Sequence, residues 1–147
     1  MAVLSLAAGL FGCQGAAEHS VKDICKITLW RGHETFDESY SFDLKEKNGE
    51  WLFSAECVLD GNDEAVSVER LKIAQADADD ILKIIEEQKL INFAKNYKER
   101  EEEYFADDEA SCCFSLEFKN GEAVFAKESP GKELEHAFYR LAEKYKQ

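Results

Sequence analysis

The chain has 147 residues, and its 31 Asp and Glu against 18 Lys and Arg give a formal net charge of −13. A surface this negative repels phosphate backbones, so composition excludes nucleic-acid binding. The acidity suits basic partners or divalent cations, but solubility and spacing from an anionic membrane are the favoured explanation of the charge. The length suits one domain with a true hydrophobic core.

An uncharged, largely apolar run over residues 1–11 leads into Leu10-Phe11-Gly12-Cys13. These four residues resemble the lipobox of bacterial lipoproteins, whose cysteine is alkylated and becomes the new N-terminus. The resemblance implies a signal peptide over 1–12, a lipid anchor on Cys13 and a location in the bacterial cell envelope, on the periplasmic or extracellular face. Because no Lys or Arg opens the run, we expect the true start codon to lie upstream of Met1.

The polar stretch after the cysteine predicts a tether over residues 13–21, which includes His19, and a single folded domain over 22–147. Two acyl chains on Cys13 would give a stable anchor, because they exceed the marginal membrane binding of one chain. The membrane is therefore one expected partner.

The first strands are predicted from alternating apolar and polar side chains, beginning with residues 25–30. Asn48-Gly49 separates two further alternating runs and favours a two-residue hairpin turn, because both turn residues need positive φ. That turn would pair Leu44 with Phe53. Every apolar side chain of the hairpin then falls on one face.

A second turn at residues 60–63 leads into a strand over 65–73. In simple alternation Val66 and Val68 continue the core face, whereas Leu71 falls on the other face and lies opposite Leu52. We expect a loop, another strand or another protein to cover this predicted outer-face line, which consists of Leu52, Val58, Leu71 and Ile73.

Two amphipathic helices follow from apolar residues at helical spacing. The first is predicted over 77–92, with Asp77 as its cap and Asn92 at its end. The second is predicted to begin at Ser129-Pro130, with Ser129 as N-cap, and its apolar stripe runs from Leu134 to Tyr145.

Between the helices, Cys112 to Phe118 alternates again, Asn120-Gly121 predicts a second tight hairpin, and residues 123–127 form its return strand. The predicted order is β-β-β-β-α-β-β-α. Short connections within each group of strands imply an α+β domain with a largely antiparallel sheet and both helices on one face.

Residues 99–109 form a polar segment with seven acidic side chains around Tyr104 and Phe105. Aromatic side chains supply contact area and carboxylates select a basic partner. The predicted partner-binding residues are Glu101, Glu102, Glu103, Tyr104 and Phe105. Packing of the two aromatic side chains within the domain is the alternative.

Catalytic machinery is not apparent: there is no nucleophile elbow, phosphate loop, HExxH or CxxC. The three histidines, His19, His33 and His136, are scattered in sequence. We therefore predict no enzyme activity, no metal site and no cofactor.

Four cysteines remain after Cys13, an even number that permits disulfides in an exported protein. Buried free thiols are the other interpretation and the one we favour, because cysteine is among the most often buried residues.

These features together are typical of small, uncharacterised bacterial envelope lipoproteins, and only Cys13 carries a specific motif. We expect a membrane-anchored, extracytoplasmic, non-enzymatic binding or accessory module. The alternative is an acidic inhibitor or immunity lipoprotein that neutralises a basic envelope-active enzyme or toxin.

Overall fold

A computed structural model describes residues 18–32, 38–59, 61, 63–98 and 111–147. After a 3-10 turn over Val21–Asp23, the elements in chain order are β1 (Ile24–Gly32), β2 (Tyr40–Lys47), β3 (Glu50–Leu59), β4 (Glu64–Ile73), α1 (Gln75–Glu87), α2 (Leu90–Lys95), β5 (Ser111–Phe118), β6 (Ala123–Ala126) and α3 (Lys132–Tyr145).

The six strands form one open sheet in the order β4-β3-β2-β1-β5-β6, and every neighbouring pair is antiparallel. Apolar side chains of the sheet and of the helices join in a single buried core, as expected when amphipathic helices cover one face of a sheet. The predicted α+β class is confirmed, with three helices rather than two.

The first hairpin has the predicted register, with Leu44 opposite Phe53. Asn48 and Gly49 take φ of 55° and 81°, the left-handed pair that a two-residue turn requires. The turn of the second predicted hairpin, at Asn120-Gly121, is looser than predicted. Gly121 has φ of 94°, while the Asn120 side chain accepts a hydrogen bond from the Glu122 N–H at 2.9 Å.

The predicted outer-face line is wrong for its two β4 members. Arg70 takes φ of 45°, and one extra residue in β4 shifts the register there. After this bulge Leu71 lies opposite Phe53 and Ile73 opposite Trp51, on the core face. A bulge reverses the alternation that follows it, which is why strict period-two counting failed.

The other two members of that line do not form an exposed apolar stripe either. Leu52 pairs with Lys72 rather than with Leu71 as predicted. It is half-buried on the outer face, while Val58 is buried. This line therefore offers no docking surface.

The first predicted helix is divided by Lys89, whose φ of 55° separates α1 from α2. The helix begins at Gln75 rather than at Asp77, and its N-cap residue contributes no side-chain bond. The Asp77 carboxylate instead accepts hydrogen bonds from the Tyr145 hydroxyl at 2.5 Å and from Lys144 at 2.9 Å. Asp77 thus ties α1 to the end of α3.

The third helix begins later than predicted, because Gly131 with φ of 118° is its N-cap. The Ser129 hydroxyl accepts a hydrogen bond from the Gly131 N–H at 3.1 Å and donates to the Glu135 carboxylate at 3.0 Å. Ser129 therefore orders the turn that precedes the helix and does not cap it.

The centre of the core is a group of stacked aromatic rings contributed by two strands and α3. The Phe42 ring lies 5.2 Å from Phe138 and 6.5 Å from Phe53, centroid to centroid, with nearly parallel planes. All three side chains are fully buried. These contacts attach α3 to the middle of the sheet.

We call the end of the sheet at which β1 begins the proximal end. Here His19 stacks on Phe118 with centroids 3.8 Å apart, and its Nε2 contacts a Glu122 carboxylate oxygen at 2.5 Å. His19 therefore packs against the domain, although the sequence placed it in a tether. The N-terminal segment reaches the domain at the proximal end.

Candidate functional site at the distal end of the sheet

The opposite, distal end is where β1 finishes and β2 and β5 begin. Gly32 pairs with Ser111, and Arg31 pairs with both Tyr40 and Cys112. The segments 33–37 and 99–110 are bordered by these strand ends. All predicted site residues lie outside the described residues: Cys13, Glu101, Glu102, Glu103, Tyr104 and Phe105.

A buried polar cluster closes the helix-facing side of the distal end. The Tyr40 hydroxyl donates a hydrogen bond to the Glu135 carboxylate at 2.5 Å. Glu135 is 9% exposed and is the only buried charged residue among those described. Burial, and next the hydrogen bond to Glu135, raise the pKa of the Tyr40 phenol far above its ordinary value. Tyr40 is thus a permanent donor that holds α3 to the sheet.

The same cluster contains Arg31 and Cys112. Arg31 places its Nε where no described residue accepts a hydrogen bond from it. Burial and the nearby charge of Glu135 raise the pKa of the Cys112 thiol to about 11. The thiolate is the nucleophilic form of cysteine, so Cys112 is unreactive at neutral pH.

Cys57 on β3 is a second thiol that is unreactive for this reason. Burial raises the pKa of the Cys57 thiol to about 11. The described cysteines are all free thiols, as predicted, but only Cys57 is buried, while the other three are half-buried: Cys25, Cys112 and Cys113.

Two hollows flank the distal end, one on each face of the sheet. The hollow on the helix side measures about 430 Å³ and mixes basic with acidic side chains, so it favours neither charge in a ligand. Its charged lining includes Arg31, Lys132, Arg140, Glu38, Glu135 and Glu143.

The second hollow, which we call the outer-face hollow, measures about 370 Å³. Strand pairing determines which residues lie at the base of this hollow. Trp30 lies opposite Ser41, Ser41 opposite Glu56, and Glu56 opposite Ser67. Side chains of opposite residues share one face, so these four form a row across β1 to β4. The outer-face hollow is thus lined by an aromatic ring and a carboxylate, with the Ser41 hydroxyl between them and the Ser67 hydroxyl beyond the carboxylate.

Trp30 is 42% exposed, one of two large apolar side chains so exposed among the described residues. A Cβ on Gly32 would lie 3.0 Å from the Trp30 ring, so the ring rests directly over the glycine backbone. Gly32 therefore leaves room for the indole at this position. A larger residue at position 32 would displace it.

Glu56 differs from Asp43 and Glu117 in having no ion-pair partner among the described residues. Farther down the same face, Lys26 lies 3.9 Å from Asp43 and 3.8 Å from Glu117. Within the described part of the chain, no basic group forms an ion pair with Glu56, which is exposed. The outer-face hollow therefore contains a carboxylate that no described cation pairs with, and the other charged residue of its lining is Arg31.

Sequence analysis missed this pair. Trp30 occupied a polar-phase position of the first predicted strand, which was the available signal for an exposed aromatic side chain. The sequence around Glu56 contains no local signal of a binding site. Its place beside Trp30 depends on the pairing of three strands.

Histidines contribute no cluster to the site, because His136 is exposed on α3 and His33 lies outside the described residues. In the described ranges, no group of three or more His, Cys, Asp or Glu is placed to hold a metal ion. None of the described helices is both long enough and apolar enough to span a bilayer.

Comparison of the chain with protein-family models, curated proteins and solved structures found no match.

Proposed function

We propose that this protein is a membrane-anchored, extracytoplasmic lipoprotein that acts as a non-enzymatic binding module for a basic protein. The observation that carries the proposal is the separation of its two ends. The N-terminal segment joins the domain at the proximal end through His19, whereas Ser111, which borders the acidic segment, lies at the distal end of β5.

The separation has the right scale for this role. Strand β1 has nine residues, which at about 3.3 Å each give roughly 30 Å between the ends. A lipid at Cys13 would attach the proximal end to the membrane. The distal end, with Ser111 and the outer-face hollow, would then face away from it, where a partner can reach both.

Net charge supports a basic partner. With −13 charges on the chain, long-range attraction would speed the encounter with a cationic protein and repel anionic ones. The same charge distances the domain from anionic lipid headgroups.

Anchoring is tested by Cys13→Ala. The wild type, expressed from its true start codon, should partition into detergent and incorporate labelled fatty acid, and the variant should lose both, because the thioether site is gone. Cys113→Ala is the matched control and should keep both properties. Aqueous partitioning of the wild type would contradict the anchor.

Partner binding is tested by reversing the charge of Glu101, Glu102 and Glu103 together with Tyr104→Ala and Phe105→Ala. We expect the wild type to capture one basic envelope protein at 1:1 ratio, with capture lost at high salt and lost in the variant. Each surface change should alter stability by no more than about 0.5 kcal/mol. Retained capture by a folded variant would exclude this segment, and unfolding would show that its aromatic side chains belong to the core.

A further inference from the structure

We propose that the outer-face hollow binds a lysine or arginine side chain from an extended basic segment of a partner protein. The cation would lie over the Trp30 indole, and Glu56 would balance its charge. This inference rests on the proposed function and names recognition residues other than those predicted within 99–109.

The first argument is charge balance on the outer face. Asp43 and Glu117 share Lys26, and Glu50 has Lys72 at 2.5 Å. Glu56 stands on the same face without a described cation. A basic side chain from outside would give Glu56 the kind of partner that Asp43, Glu117 and Glu50 already have within the chain.

The second argument is the chemistry of Trp30. The indole ring attracts a cation placed within about 6 Å of its centre, and arginine and lysine are the usual protein cations found there. Trp30 is 42% exposed and its ring lies over the Gly32 backbone, so a face of the indole is accessible to a ligand.

The third argument is space. Strands β1 and β3 lie about 10 Å apart, since each step across a sheet is about 4.8 Å. The residues between and beyond the pair are small: Ser41, Ala65 and Ser67. A long, narrow side chain fits this row, and its cation can contact the ring and the carboxylate together. The other charged residue of the lining, Arg31, alternates with Trp30, and its charge acts on Tyr40 and Cys112 on the opposite face.

The test uses the full chain with Trp51→Phe, which leaves Trp30 as the only tryptophan. An eight-residue peptide of alternating Lys and Ser should change the Trp30 fluorescence saturably, and a Glu-Ser peptide should not. Trp30→Ala and Glu56→Gln, each made in the natural chain and measured by calorimetry, should weaken binding of the basic peptide about tenfold.

Matched controls separate this site from the general attraction of an acidic protein. Glu117→Gln removes the same charge from the same face at a carboxylate near Lys26, and Phe125→Ala removes an aromatic side chain that is 50% exposed. Both should change the affinity less than twofold. The inference is overturned if the controls weaken binding as much as the test variants do, or if the Trp30 fluorescence does not change when the basic peptide is added.

Two further outcomes distinguish this inference from the proposed function. Peptide binding that depends on residues 101–105 but not on Trp30 or Glu56 overturns the inference and leaves the proposed function standing. Dependence on Trp30 and Glu56, without capture of any envelope protein, supports the site and contradicts the proposed function. Should Trp51→Phe fail to fold, the indole N–H signals of the natural chain, assigned with Trp30→Phe, report the same contact.

Discussion

Phe42→Ala should lower the free energy of unfolding by about 3–5 kcal/mol. The Phe42 side chain is fully buried, and its ring stacks on Phe138 of α3 and faces Phe53 of β3. Truncation removes the transfer energy of the ring and leaves a cavity that the surrounding aromatic side chains cannot fill without breaking their own stacking. Equilibrium denaturant unfolding measures the change.

Phe125→Ala is the matched control, because Phe125 is also a strand phenylalanine but is 50% exposed. Its effect should stay within about 0.5 kcal/mol. Similar losses in the two variants would mean that the aromatic stack is not the centre of the core.

Alkaline pH should destabilise the wild type more than Tyr40→Phe. The pKa of Tyr40 in the folded protein is raised well above its ordinary value of 10.0, first by burial and then by the hydrogen bond to Glu135. Above pH 10 the unfolded chain ionises this phenol and the folded protein does not. The stability that comes from the protonated phenol is complete below pH 10 and is lost as pH rises, by up to about 1.4 kcal/mol per pH unit.

Unfolding measured from pH 8 to pH 11 in both proteins checks this sign. The raised pKa of the Cys57 thiol adds an alkaline loss that is common to both proteins. Because a hydrogen bond with Tyr40 acts on the pKa of Cys112, the difference between the curves reports Tyr40 together with its neighbour Cys112. At neutral pH the wild type should be the more stable protein, because Tyr40→Phe leaves Glu135 with one hydroxyl donor fewer. Parallel curves over the whole range would contradict the buried hydrogen bond.

Tyr40 and Glu135 also show why the distal end could not be assembled from sequence. They are 95 positions apart, and nothing local to either residue indicates the other. A glutamate on an amphipathic helix is expected at the surface, and burial of its carboxylate depends on a strand end that lies beneath it. Trp30 and Glu56 present the same problem, since they meet only through the pairing of three strands.

The sequence by itself determined the α+β class, the first hairpin and the existence of the helices, because alternation, helical spacing and Asn48-Gly49 are local signals. Tertiary structure alone decided two deviations. They are the bulge at Arg70 that returns Leu71 to the core and the break at Lys89. In each case a non-glycine residue at positive φ is accepted for the sake of packing. Local propensities amount to at most about 1 kcal/mol per residue, whereas a buried side chain contributes about 1.5–3 kcal/mol, so packing decides where the two disagree.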